Sequence, residues 1–433
     1  MVKPPIRLVV ALADADATDA DRFGAKAANQ AALGRAGLPI PDGFCLDAEA
    51  YRLQLAALGV DAAARGAASA ERPQARRLAS EIKLALFEGP IAPAVLEPLL
   101  DARRALADAT GALMVVRSSA LMEDRPGSTF AGQFESFLGL DGEADFLTAV
   151  RACWAALWST RALRYMAGHD LNPAETAMAL LVQPLVAARA SGGGLSRTPD
   201  GAMALTATWG LGEAIAQGEV VPDRYVLSRE GRLSSVEPGR KDHLVGCVHH
   251  HAEPASRALP REIATARCLD DARAVELGRM LLKAEDVLGV PVEIEWALDD
   301  AGFKLLQARP LHVAPLEMPD DETWRRHPRL NGHPAGIGWA TGRACVVNCE
   351  CELARVAPGD ILVTTVAGPA LSQVLPRVAG VVAELGGSTS HLASLARERG
   401  VPMVLGVLDA TRRIPDGGQV AVDGVAGVVR YIA

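Results

Sequence analysis

A proline-rich, charged stretch divides the chain into two parts of unequal length. Between His312 and Pro334 the sequence contains four prolines and the charged run DDETWRRHPR, a composition that disfavours regular structure. We therefore predict an extended, hydrated linker over residues 312–331. Because a chain of 433 residues is too long for one ordinary core, we predict one folded domain over residues 1–311 and a second over residues 332–433.

Composition excludes several classes of protein. The 44 basic and 52 acidic residues give a net charge of −8, so nucleic-acid binding through clustered Lys and Arg is not expected. No apolar run reaches membrane-spanning length, and Asp14 and Asp16 interrupt the apolar stretch near the N-terminus, which argues against a signal peptide. The odd number of cysteines, seven, favours a reduced cytoplasmic protein over a disulfide framework.

The two parts both mix helix and strand patterns, which predicts an α/β (α+β) fold class. In the first part, the Ala-rich residues 62–86 predict a helix, and ALMVVRSSA and MALLVQPLV predict buried strands. In the second part, GDILVTTV, AGVVAEL, PMVLGV and QVAVDGVAGVVRYI predict strands, the last with a turn at Asp423-Gly424. One helix is predicted from Ser390 to Arg399, where Gly400 ends it.

The segment VPVEIEWALDDAGFKLLQARPL predicts a hairpin with polar side chains on one face. Glu293 and Glu295 alternate with apolar residues, and Gln307 and Arg309 share one parity on the next strand. If the hairpin pairs Glu295 with Gln307, Glu293 lies opposite Arg309. Oxygen ligands of this kind suit Mg²⁺ that carries a nucleotide phosphate. The alternative is a surface hairpin with one cross-strand ion pair.

Three earlier segments carry groups suited to phosphate. Lys26 is predicted at the start of a helix that ends at Gly37, and Arg117 at the end of an apolar strand. The small loop at residues 131–133 would let backbone N–H groups approach a phosphate closely. Taken singly, these segments are better explained without a ligand: Lys26 as a solvated helix residue, Arg117 as a strand-end charge and Gly132 as part of an ordinary turn.

Taken together and in this order, these segments resemble the nucleotide-binding half of phosphoenolpyruvate synthase, pyruvate phosphate dikinase and rifampicin phosphotransferase, an ATP-grasp type of fold. The resemblance includes ALLVQPLV and TWGLGEAIAQGEVVPDRYVL and covers most of residues 20–312. It implies that ATP is bound and that Glu295 and Gln307 hold Mg²⁺. The residues implied to contact ATP are Lys26, Arg117, Gly132, Gln133, Gln183, Leu185, Glu213, Glu293 and Arg309, with Lys241 as a further candidate.

One histidine lies in a sequence suited to phosphoryl transfer, ELGGSTSHLASLARERGVP. Gly386-Gly387 predicts a tight turn, and Ser388 or Thr389 can cap the helix that follows. His391 then falls in the first helical turn, where free N–H groups and the helix dipole favour an anion. Imidazole is also a good nucleophile near neutral pH. The alternative is a structural histidine that helps to cap the helix.

The same run resembles the mobile phosphohistidine domain of that family, and NGHPAGIGWATGRACVV resembles its usual entry. The resemblance implies that His391 attacks the β-phosphate of ATP, AMP leaves, water removes the outer phosphate, and the remaining phosphoryl group passes to an acceptor. The family's acceptor-binding domain has no counterpart in this sequence. We therefore expect a small-molecule acceptor or one presented by a partner subunit. Two alternatives remain: a ligase that activates its substrate by phosphorylation, and a nucleotide-binding regulatory subunit.

Overall fold

The structure, a computed structural model, describes residues 7–67, 70–123, 130, 133–134, 136–245, 256–311 and 324–432. These residues form two compact units: the first holds the chain up to Val186 together with Lys304–Arg309, and the second holds the rest. Both units combine helices with sheets, so the predicted α/β class is confirmed. Across the described residues, no helix combines the length and apolarity needed to cross a membrane.

The first unit is built on a five-stranded sheet with strand order β1-β2-β5-β3-β4. Its strands are β1 (Val9–Ala11), β2 (Phe44–Leu46), β3 (Met114–Ala120), β4 (Ser136–Leu140) and β5 (Met178–Pro184). Its α-helices are α1 (Ala20–Arg35), α2 (Ala48–Ala57), α3 (Asp61–Ala67), α4 (Arg72–Glu88), α5 (Pro93–Thr110), α6 (Glu143–Ala156) and α7 (Thr160–Ala167), with 3₁₀ turns at Ala15–Thr18 and Pro173–Glu175. Phe23 of α1 packs into a core with Cys45 and Leu181.

In the first unit, the two predicted strands are confirmed, and the prediction of one helix is wrong. ALMVVRSSA and MALLVQPLV form β3 and β5, which pair antiparallel and are largely buried. The Ala-rich residues 62–86 form two helices, α3 and α4, and not the single helix predicted. The reason is Pro73, which lies in the first turn of α4, the helix position that tolerates a residue without an N–H group.

A six-stranded sheet with order β13-β12-β6-β7-β8-β9 and a two-stranded ribbon, β10-β11, follow along the chain. The strands are β6 (Ala190–Leu195), β7 (Met203–Trp209), β8 (Asp223–Leu227), β9 (Leu233–Glu237), β10 (His243–Val245), β11 (Ser256–Ala258), β12 (Val292–Asp299) and β13 (Gly302–Pro310). The helices are α8 (Glu213–Ala216), α9 (Arg261–Ala264) and α10 (Asp271–Leu288). The predicted hairpin strands are thus β12 and β13, and Trp296 meets Phe303 edge to face at a centroid distance of 5.5 Å.

The last part of the second unit is an eight-stranded sheet with order β14-β21-β20-β16-β17-β18-β19-β15. Its strands are β14 (Arg329–Asn331), β15 (His333–Gly336), β16 (Trp339–Val347), β17 (Ile361–Val366), β18 (Gly380–Leu385), β19 (Met403–Leu405), β20 (Gln419–Asp423) and β21 (Val428–Tyr431). Its helices are α11 (His391–Arg399) and α12 (Ala410–Arg413), with 3₁₀ helices at Trp324–Arg326, Glu350–Arg355 and Pro369–Gln373. The four strand patterns predicted here are confirmed, including the turn between β20 and β21.

The stretch predicted as a linker is in part structured. Residues 312–323 lie outside the described residues, but Arg329–Asn331 forms β14 and pairs antiparallel with β21. Leu330 lies between two polar residues and is buried in the same core as Val429. Strand pairing and the burial of this side chain both favour an ordered end to the segment.

One pair of cysteines departs from the reduced state that the sequence favours. Cys349 and Cys351 are joined by a disulfide, with their Cα atoms 5.4 Å apart. Among the described residues, the four cysteines outside this disulfide are buried, and no group of three or more His, Cys, Asp or Glu side chains could hold a metal ion. The disulfide joins residues two positions apart, so it constrains only a local loop.

A fully buried ion pair stabilises the second unit and gives a stability prediction. The Asp223 carboxylate contacts the Lys241 ammonium and accepts hydrogen bonds from the backbone N–H groups of Gly239 and Cys268, both at 2.7 Å. Replacing Asp223 with Asn should lower the free energy of unfolding by about 3–5 kcal/mol, because Lys241 keeps a buried charge without its partner. Urea denaturation measures this. Asp242→Asn, in an exposed pair with Arg240, is the matched control and should change little.

Candidate functional site

Lys26 lies in the interior of the first unit. Its ammonium donates to the backbone carbonyl of Ser118 at 2.8 Å and pairs with the buried carboxylate of Glu123 at 2.9 Å. Helix α1 begins at Ala20, earlier than predicted, but Gly24 interrupts it with a φ of 74° and Lys26 starts the regular segment that follows. A Cβ at Gly24 would lie 2.5 Å from the carbonyl oxygen of Ser119, so the close approach of α1 to β3 requires glycine here.

Arg117 contacts the part of β13 that belongs to the first unit, Lys304–Arg309. Arg117 lies in the middle of β3, not at its end as predicted, and donates to the carbonyl of Leu306 at 3.2 Å. Two side chains of α1 also donate to β13, from Asn29 to the Ala308 carbonyl and from Gln30 to the Leu305 carbonyl. These bonds fix the backbone of β13 around Gln307 and Arg309, whose side chains are buried. The first unit therefore gathers Lys26, Arg117, Gln307 and Arg309.

The remaining predicted ATP contacts of the first unit are positioned by hydrogen bonds to other segments of that unit. Gln183, near the end of β5, donates from its amide to the carbonyl of Pro41 at 3.0 Å. Leu185, just beyond β5, donates from its backbone N–H to the carbonyl of Leu113 at 2.7 Å. Gln133 is buried, and its carbonyl accepts from Arg161 at 3.0 Å. Gly132, predicted in the same loop, lies outside the described residues.

In the second unit, cross-strand pairing places several residues on one face of the six-stranded sheet. Glu295 of β12 pairs with Gly193 of β6, and Gly193 pairs with Thr206 of β7. Directly paired residues point to the same side of a sheet, and Glu293, two residues from Glu295, points there as well. Glu293, Glu295 and Thr206 therefore share a face. The predicted pairing of Glu295 with Gln307 stays a prediction.

Helix α11 packs against this face. Thr389, just before the helix, shares a hydrogen bond of 2.7 Å with Thr206, and a Cβ on Gly193 would lie 2.6 Å from its side chain. Further along the helix, Arg397 contacts Glu293 at 2.9 Å. The helix therefore runs across β12 from the level of Glu295 towards Glu293.

His391 lies between these two attachment points, in the first turn of α11. The capping residue is Ser390, whose hydroxyl accepts from the N–H of Ala393 at 3.2 Å, and not Ser388 or Thr389 as predicted. The correction follows from the helix start, because the cap is the residue immediately before the first helical one. The arrangement presents His391 at the positive end of a helix that packs against the face carrying Glu295.

Two other predicted residues lie elsewhere in the second unit. Glu213 begins α8, and partial burial, followed by the negative charge of Glu219, raises the pKa of its carboxyl group. Lys241 is fully buried against Asp223, so its charge is already neutralised by a carboxylate. Of the predicted set, Lys26 and Arg117 therefore belong to the first unit, and Glu293, Glu295 and His391 belong to the second.

Comparison with known proteins accounts for both parts of the chain. Residues 20–329 match the AMP/ATP-binding domain of pyruvate phosphate dikinase, and residues 356–427 match the mobile domain of PEP-utilising enzymes. The chain therefore belongs to the pyruvate phosphate dikinase family, and its second matched region is a PEP-utilising mobile domain. This confirms the resemblance seen in the sequence motifs.

The curated relatives of the chain are named as phosphoenolpyruvate synthases. It is 32% identical to the probable phosphoenolpyruvate synthase of Archaeoglobus fulgidus over 97% of this chain, and 32% identical to the enzyme of Aeropyrum pernix over 94%. Identity to the Escherichia coli enzyme is 29% over 96% of this chain. The chain spans 58%, 56% and 56% of the length of these three relatives.

Several polar residues of the site were missed by the sequence analysis. Glu123, which neutralises Lys26, is far from it in sequence, so no local pattern links the two. Ser394 lies three positions after His391 and three before Arg397, and this helical spacing was the available signal that Ser394 neighbours each of them on the surface of α11. Thr206 gave no signal, because its partner Thr389 is 183 positions away.

Proposed function

We propose that the chain is an ATP-dependent phosphotransferase in which His391 accepts the β-phosphoryl group of ATP. The nitrogen–phosphorus bond forms as the bond between the β-phosphorus and the α-phosphate oxygen breaks, and AMP leaves with the electron pair. Water then hydrolyses the outer phosphate, which leaves phospho-His391 and inorganic phosphate. Lys26, Arg117 and Arg309 would bind the phosphates and offset their negative charge.

One observation carries this proposal: the segment that bears His391 is docked on the face of the sheet that carries Glu295. The contacts of Thr389 with Thr206 and of Arg397 with Glu293 hold both ends of the segment. Holding a nucleophile near its target increases the reaction rate, because the two groups no longer have to meet by diffusion.

The donor chemistry of the hairpin fits Mg²⁺. Glu295 supplies a carboxylate and Gln307 an amide oxygen, and hard oxygen ligands are those that Mg²⁺ prefers. When bound, the ion would neutralise charge on the nucleotide phosphates. Lys26 already contacts a carboxylate, that of Glu123, in a buried position. We propose that a nucleotide phosphate takes over part of this contact when ATP binds.

The acceptor of the phosphoryl group is proposed only by class. The relatives are named for phosphoenolpyruvate synthesis, but this chain corresponds to only part of their length. We propose a small molecule or a group presented by a partner protein as the acceptor. Isolated phospho-enzyme challenged with pyruvate, and then with candidate metabolites, should reveal it by loss of label.

The mechanism predicts which phosphate of ATP stays with the protein. Incubation with ATP labelled separately at the β and γ positions should leave stable, acid-labile label on the protein only from the β position. AMP and inorganic phosphate should appear in equal amounts, because each turnover cleaves both bonds. Chromatography of the nucleotides and scintillation counting of the protein measure this. Stable γ-label with ADP as product would instead indicate an ordinary kinase and contradict the proposal.

A further inference from the structure

The helix that carries His391 is joined to β12 by a buried ion pair that the chemistry described above does not use. Arg397 Nη2 lies 2.9 Å from Glu293 Oε2, and the Ser394 hydroxyl donates to the same carboxylate, 3.0 Å from Oε2 and 3.2 Å from Oε1. All three residues are more than nine-tenths buried. The pairing matters because either charge, left alone in this interior, would be strongly destabilising.

Arg397 also fixes the loop that precedes His391. Its Nη1 donates to the carbonyl of Ser388 at 2.5 Å and to that of Ala335 at 3.1 Å, while Nη2 donates to Ser394 at 3.0 Å. One planar guanidinium therefore connects β12, the loop before α11 and strand β15. A lysine has the charge but lacks the planar fork, so it cannot reproduce this set of bonds.

The attachment has a second point at the other end of the helix segment. Thr389 Oγ1 lies 2.7 Å from Thr206 Oγ1, directly beside Gly193. The absence of a side chain at Gly193 is what makes room for Thr389. With Arg397 held at Glu293 and Thr389 held at Thr206, His391 has little freedom to move along or away from β12.

We propose that Glu293, Ser394 and Arg397 form a docking clasp that positions His391 for phosphorylation, with the contact between Thr206 and Thr389 as its second attachment. The inference rests on the proposed function. It assigns Glu293 a role different from the ATP contact implied by resemblance: Glu293 acts on the histidine helix as a positioning residue. Arg397 and Ser394 are likewise positioning residues, since they act through His391.

The first test replaces the charge at the centre of the docking clasp. Arg397→Gln should slow incorporation of β-label from ATP by about 100-fold, the loss expected when a reacting group is misplaced by about 1 Å. The KM for ATP and calorimetric Mg-ATP binding should stay near wild type, because no nucleotide contact is removed. Arg397→Lys should recover only part of the rate. Arg399→Gln, at an exposed arginine on the same helix, is the control and should behave as wild type.

The second test locks the docked arrangement and does not depend on how well Arg397→Gln folds. Thr206→Cys combined with Thr389→Cys should form a disulfide on oxidation, since the two hydroxyl oxygens already lie 2.7 Å apart. The oxidised protein should take up β-label about as fast as the same protein after reduction, with each single-cysteine variant as control. An oxidised protein that takes no label would overturn the proposal, as would wild-type labelling by Arg397→Gln. Failure of the wild type itself to take label would contradict the phosphotransferase function instead.

Discussion

Replacing His391 with Ala is expected to abolish the covalent incorporation of β-label from ATP while Mg-ATP binding stays nearly unchanged. The reason is that His391 supplies the nucleophile in the proposed reaction, whereas the proposed nucleotide contacts come from other elements, among them α1, β3 and β13. Label retained on the protein after filtration measures the first quantity, and calorimetric titration measures the second. Release of AMP should fall to background together with the label.

Two controls separate this result from damage to the fold. His391→Asn keeps a polar side chain at the first position of α11 and should show the same loss of label, since an amide cannot carry the phosphoryl group. His327→Ala removes a histidine that packs beside Trp324 in the short 3₁₀ helix and should label as wild type. Undiminished label on the His391→Ala protein would show that another group is phosphorylated.

Replacing Glu295 with Ala is expected to weaken Mg²⁺-dependent ATP binding by at least about 10- to 100-fold, the range seen when residues that support a metal site are removed. Glu295 is one of two oxygen donors proposed for the ion, and without it the phosphates keep uncompensated charge. Titration with ATP in the presence of Mg²⁺, and again with EDTA, isolates the metal-dependent part. Wild type should lose affinity in EDTA, and Glu295→Ala should show little further loss.

The matched control for Glu295 lies in the same hairpin. Asp300 is an exposed acidic residue in the turn between β12 and β13, where it pairs with exposed Arg189. Asp300→Ala removes the same charge without touching the proposed metal ligands, so its affinity for Mg-ATP should match that of wild type. Equal binding by wild type and Glu295→Ala would contradict the assignment of Glu295 to the metal.

The sequence was sufficient wherever a structural feature depends on neighbouring residues. The start of α11 follows from the Ser and Thr residues just before His391, although the cap is Ser390 and not Ser388 or Thr389. Its end follows from Gly400 in the left-handed region, with a φ of 65°. The buried strands β3 and β5 follow from runs of apolar residues, because a strand shielded on both faces needs no polar alternation. The family resemblance likewise rests on short motifs that keep their order along the chain.

Features that join distant residues were decided only by the tertiary structure. Glu123 neutralises Lys26, and Glu293 meets Arg397 although 104 positions separate them. The end of the predicted linker forms strand β14, and Leu330 of that strand is buried in a core that later residues form. Sequence periodicity reports which face of an element is apolar, but it carries no information on which other element covers that face. The docking of α11 on β12 is of this second kind, because burial of a charged pair is favourable only after the whole fold has brought both charges together.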